Sequence, residues 1–112
     1  MTAAHGLRAW LLQRFTAVYL AAFFIYLLAH FTLAPPATFA DWRAWMAGRW
    51  VNLGWSLFVL AVAVHAWVGI RDVVMDYVHP PGVRVTLLGL IAVVLAGSVL
   101  WGWRVLFIVA AG

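Results

Sequence analysis

The sequence predicts an all-α integral membrane protein with three transmembrane helices. Composition is the first reason: 68% of residues are apolar, mean hydropathy is +1.05, and only 9% are charged, too few to coat a water-facing surface. The second is three apolar runs, about 10–33, 50–77 and 85–109, each long enough to cross a bilayer. The third is the punctuation between them, Pro35-Pro36 and His79-Pro-Pro-Gly82, which ends helices because proline lacks an N–H and disfavours αR in the residue before it. The 112 residues form one membrane domain, without repeats or a soluble portion.

Residues 1–9 read as a short polar lead with His5, Gly6 and Arg8. The apolar run that follows is too long for a signal-peptide core, so no cleavable presequence is expected. The first span, about Trp10 to Leu33, carries Arg14 within its first turns. A guanidinium there either snorkels to the headgroups or faces an anionic group, such as a haem propionate or a quinone oxygen. His30 comes 16 positions later, about 160° around the helix from Arg14, and reads as a hydrogen-bonded interfacial histidine.

After the prolines, Thr38-Phe-Ala-Asp41 has the form of a capping box opening an interfacial helix, about 39–49. Trp42, Trp45 and Met46 share one of its faces, and Arg43 and Arg49 the other. The second span, about Trp50 to Tyr77, covers roughly 42 Å at 1.5 Å per residue against roughly 30 Å of hydrocarbon. Its C-terminal end therefore projects from the core, bringing Arg71, Asp72, Asp76 and Tyr77 to the interface. His65, 12 residues earlier, lies about 18 Å deeper. In the third span, Gly89, Ala92, Ala96 and Gly97 suit close helix approach, and Arg104 snorkels beside Trp101 and Trp103.

Three spans put Arg8, Arg14, Arg71 and Arg84 on one side, and Arg43, Arg49 and Arg104 on the other. The excess leans towards a cytoplasmic N-terminus and a periplasmic C-terminus. Usage rich in Arg, Ala, Gly, Val and Trp fits a GC-rich bacterial genome, hence a bacterial inner membrane. Basic residues at helix ends fit headgroup anchoring rather than nucleic-acid binding. With no cysteine, the chain supplies neither disulfides nor iron–sulfur ligands.

The chemistry concentrates in residues 65–77. His65, Gly69, Asp72 and Asp76 follow an i, i+4, i+7, i+11 rhythm and fall within about 60° of one another. Such a stripe points inward rather than at lipid. An imidazole at mid-membrane is paired with another helix or binds metal, and neutral imidazole is a good axial ligand for haem iron. Gly69, one turn along, would leave room for a flat macrocycle. Asp76-Tyr77 is either an ordinary interfacial pair or a quinone site, since a phenol can donate to a quinone carbonyl beside a water-accessible carboxylate. Tyr77 lies about 120° from the His65 stripe and could face another polypeptide of a complex.

At these residues the chain resembles the hydrophobic membrane anchor of succinate dehydrogenase, respiratory complex II. The likeness covers nearly the whole chain. It rests on Arg14-Phe-Thr-Ala, the proline-bearing first loop, and His65-Ala-Trp-Val-Gly followed six residues on by Asp76-Tyr77-Val. Such complexes hold two membrane anchors. The Ser-x-x-His-Arg-x-Thr-Gly-like motif usual in the sister anchor is missing, which favours the hydrophobic anchor.

The resemblance implies a helical bundle formed with the second membrane anchor subunit and sharing haem b. It implies His65 as an axial ligand of the haem iron, with the other axial histidine from that second anchor. It also implies Tyr77 and Asp76 in the quinone site, for ubiquinone or menaquinone, and Arg14 near the haem propionates. Arg71 and Asp72 receive no role. The implied partners are the second anchor, an iron–sulfur subunit and a flavoprotein subunit, with trimers of such heterotetramers in some members. The chain itself would catalyse no succinate chemistry, serving electron transfer to quinone in the respiratory chain and tricarboxylic acid cycle. Three alternatives stand beside this reading: a fumarate reductase anchor, a non-redox scaffold, and a self-contained cytochrome using His30 and His65.

Overall fold

The computed structural model describes residues 2–112, with side chains from Gly6 onward. The described residues form four helices and no strands: α1 (Thr2–Leu33), α2 (Phe39–Ala47), α3 (Arg49–Tyr77) and α4 (Pro81–Ala111). Three of them are long and apolar enough to cross a membrane, over Gly6–Leu33, Arg49–Tyr77 and Pro81–Ala111.

The helices outrun the apolar runs at two ends. α1 starts at Thr2 rather than near Trp10, because the polar lead is made largely of helix formers and holds no proline. α4 starts at Pro81, where a missing N–H costs nothing in the first turn. His5 belongs to the lead, but its side chain lies outside the described part. The N-cap half of the expected capping box forms, the Thr38 hydroxyl accepting from the Asp41 N–H at 3.1 Å, without a return bond to the Asp41 side chain among the described residues. Arg84 closes the end of α3 from the next helix. Its guanidinium donates to the Val78 and Met75 carbonyls at 2.9 and 3.1 Å, meeting acceptors that a helix C-terminus leaves unpaired.

α3 is the central element. It packs against α1 on one side and α4 on the other, while α1 and α4 do not pack together among the described residues. α2 folds across the end of α3 and α4. There Asn52 Nδ2 donates to the Met46 and Leu106 carbonyls, joining three helices through one carboxamide.

Close packing between α1 and α3 centres on Phe23, which is buried. Trp55 and Phe58 lie 5.2 and 5.0 Å from its ring centre, with Tyr19 and Tyr26 at 6.0 and 5.8 Å. The ring lies over Gly54, where a Cβ would come within 2.8 Å of it. The Tyr19 hydroxyl donates to the Gly54 carbonyl at 2.7 Å. Between α3 and α4 the close approach falls at Gly102, against Val59. It does not fall at Gly89 or Gly97, which meet nothing within 4 Å of a built Cβ. Small residues on a helix do not by themselves say which turn the neighbour crosses.

The buried set is small: Phe23, Met46, Ala61, Val68, Val74, Val99 and Leu106. Phe15, Val93, Val94, Leu100 and Phe107 are exposed, on a scale water would not tolerate. Such a surface suits an apolar neighbour rather than water.

Candidate haem and quinone site

Along the first half of α1, Gly6, Ala9, Trp10, Gln13 and Ala17 recur at helical spacing and form one wall of a groove. His65, Arg71 and Asp72 of α3 form the other wall, and Arg14 reaches in beside Trp10. The groove encloses about 670 Å³ and is open on one side. Gly6 to Ala17 spans about 16 Å along α1 at 1.5 Å per residue. Apolar and small side chains make the walls, with His65 at depth and the charges toward the helix ends.

His65 is held across the helix interface. Its Nδ1 lies 3.0 Å from Thr16 Oγ1. That hydroxyl has one proton, and its shortest contact is the Leu12 carbonyl at 2.6 Å, with Gln13 O at 3.2 Å. With its proton directed at a carbonyl, the oxygen is placed to accept from the imidazole. Nδ1 therefore carries the hydrogen and Nε2 keeps its lone pair. Nε2 has no hydrogen-bond partner among the described residues, and the ring lines the groove. An imidazole with one nitrogen donating to an orienting group and the other bare is in the form that binds metal.

Gln13 sits next along the same wall. Its Oε1 is buried with no partner, and its Nε2 lies 3.6 Å from where a Gly69 Cβ would be. Gly69 thus faces Gln13 of α1 and does not itself line the groove. Arg14 is exposed or nearly so, its guanidinium 5.1 Å from the Trp10 ring centre. No group of three or more histidines and carboxylates converges on one point among the described residues. What this donor set offers is one imidazole, suited to a metal already held in an organic ring. The residues fit a haem: a bare axial nitrogen, apolar walls and cations at the mouth.

Asp76 and Tyr77 occupy the last turn of α3, both exposed, and neither lines the groove. Asp72 is shared by the groove and the inward stripe, and Asp76 follows it one turn on. His65 and Asp72 thus face one cavity, while Asp76 and Tyr77 lie outside its lining at the exposed end of α3. His30 lies elsewhere. It stacks on Trp45 at 4.1 Å and 7°, with Tyr26 at 6.1 Å, and its ring has no hydrogen bond among the described residues. Thr16 pairs with His65, and His30 lies 14 residues further along α1, about 21 Å away. One haem cannot bridge that separation, so the His30–His65 cytochrome is ruled out.

Spacing alone does not direct Gln13, Trp10 or Arg71 to this cavity, or Thr16 to the His65 ring. A lone carboxamide in an apolar span is the available signal for Gln13. Thr16 stands inside the Arg14-Phe-Thr-Ala run without an evident partner until α3 is placed beside it.

Residues 1–101 match the family described as succinate dehydrogenase/fumarate reductase transmembrane subunit. The chain belongs to that family. It is 24% identical over 107 residues to the succinate dehydrogenase hydrophobic membrane anchor subunit of Coxiella burnetii (strain RSA 493 / Nine Mile phase I). That similarity covers 96% of this chain and 93% of the relative. With its three apolar helices, the chain is a membrane anchor of the succinate dehydrogenase/fumarate reductase family.

Proposed function

We propose that this anchor serves a succinate dehydrogenase of a bacterial inner membrane. In this reading it binds haem b through His65 together with a second membrane anchor, and builds part of a quinone-reduction site from Tyr77 and Asp76. The observation that carries the reading is the His65 imidazole, tied to Thr16 through Nδ1 with Nε2 free toward the groove. An anchor that only cross-linked helices would need the Thr16 bond, but not a cavity against the second nitrogen.

Haem, when bound, supplies a one-electron couple in the membrane. The chain's own residues do the rest. Thr16 fixes the tautomer and plane of His65. Arg14 offers positive charge to carboxylates at the groove mouth. Ala9, Trp10 and Ala17 exclude water from the deeper part. Tyr77, exposed at the end of α3, donates its phenol hydrogen to a quinone carbonyl oxygen, and Asp76 exchanges protons with the aqueous phase beside it. The flavoprotein and iron–sulfur partners would oxidise succinate and deliver electrons. Exposed surface is available for partners along the groove and much of α1 and α4. The N-terminus and the α3–α4 turn would face the cytoplasm.

The test separates electron entry from quinone reduction. Tyr77→Phe in the assembled complex is expected to lower succinate:quinone reductase activity at least tenfold, with succinate oxidation by an artificial acceptor retained. Equal loss of both activities, or no loss of either, would overturn the quinone role.

A further inference from the structure

Arg71 and Asp72 line the groove, yet nothing in the family resemblance gives them work. Arg71 is half-buried and Asp72 exposed. Among the described residues no ion pair closes to 4.0 Å, so neither Arg71 nor Arg14 is neutralised by a carboxylate. Arg14 stands on the α1 wall and Arg71 on the α3 wall, and both line the same cavity as His65. Six residues separate His65 from Arg71, which puts Arg71 about 9 Å nearer the surface along α3. A half-buried guanidinium lining a cavity is placed to hold an anion, and two on facing walls suit the carboxylates of one ligand.

We propose that Arg71 is the second cation of the groove mouth, closing with Arg14 on the carboxylates of the haem, and that Asp72 opposes it. This rests on the haem reading above. Arg71 then acts as a positioning residue with an electrostatic effect on the iron. Ferric haem carries one more positive charge than ferrous haem, so a nearby cation penalises the oxidised form and raises the midpoint potential. A nearby carboxylate lowers it.

The experiment is a redox titration of the haem in the purified complex, for wild type, Arg71→Gln, Arg71→Lys and Asp72→Asn. Arg71→Gln is expected to lower the midpoint, Asp72→Asn to raise it, and Arg71→Lys to stay near wild type. A second measurement covers variants that load poorly. Haem-depleted complex is reconstituted with haem or with its dimethyl ester, and the affinity lost on esterification is compared. That loss is expected to shrink at least threefold in Arg71→Gln. Unchanged midpoints in Arg71→Gln and Asp72→Asn, or an equal esterification loss with and without Arg71, would overturn the proposal while leaving the haem reading intact. Wild-type complex that binds no haem would overturn both.

Discussion

Replacing Thr16 by valine removes the acceptor for His65 Nδ1 while keeping side-chain shape. The hydroxyl sits 3.0 Å from that nitrogen, in a part-buried position between α1 and α3. An N–H left unpaired in a buried place costs about 1–3 kcal/mol. His65 is half-buried, so water partly compensates and about 1–2 kcal/mol is the appropriate range. That corresponds to about a 5- to 30-fold loss of haem affinity, in line with the roughly 10- to 100-fold losses seen when partners of metal-bound histidines are removed. Helix α1 itself is spared, because the Leu12 carbonyl loses only the extra bond from the Thr16 hydroxyl. The assay is haem transfer from purified complex to an excess of a high-affinity haem scavenger, followed optically. Thr16→Val is expected to release haem faster by that factor, and Thr16→Ser to behave as wild type. Wild-type release from Thr16→Val would refute the tautomer argument. Equal damage from Ser and Val would assign the role to the methyl group instead of the hydroxyl.

Other perturbations probe the frame around the site. Gly54→Ala places a Cβ within 2.8 Å of Phe23, whose ring is hemmed in by Trp55 and Phe58. Denaturant titration in micelles is expected to show a loss of about 1–3 kcal/mol, with Phe23→Leu restoring part of it. Arg84→Gln removes the hydrogen bonds to the Met75 and Val78 carbonyls, which flank Asp76 and Tyr77. It is expected to raise the apparent KM for quinone with the haem spectrum unchanged; a perturbed haem with a normal KM would contradict the capping role. Asn52→Leu deprives the Met46 and Leu106 carbonyls of their shared donor. Hydrogen exchange is expected to accelerate in α2 but not in the middle of α3.

The three long apolar helices, the short helix between the first two and its N-cap were legible because each depends on local information: apolar length, a Thr–Asp spacing, two proline pairs. His65 was legible for the same reason, as an imidazole deep in an apolar run. What spacing could not supply was the register of α1 against α3. That register decides that Thr16 rather than His30 meets His65, that Gln13 lies opposite Gly69, and that Arg71 joins Arg14 across a cavity. It also moves the tight helix contacts to Gly54 and Gly102. A helix wheel orders residues on one helix, and nothing on it says how far the neighbour has slid. The charges at 71 and 72 illustrate the gap: explained by protrusion into the interface when α3 is viewed alone, they line a common groove only when α1 stands beside it.

The most direct test of the haem assignment is the reduced-minus-oxidised visible spectrum of the purified complex, recorded for wild type and for His65→Ala. Wild type is expected to show a b-type α-band that disappears or is strongly perturbed in His65→Ala. A wild-type complex without that band, or a His65→Ala complex with an unaltered one, would contradict His65 as the axial ligand.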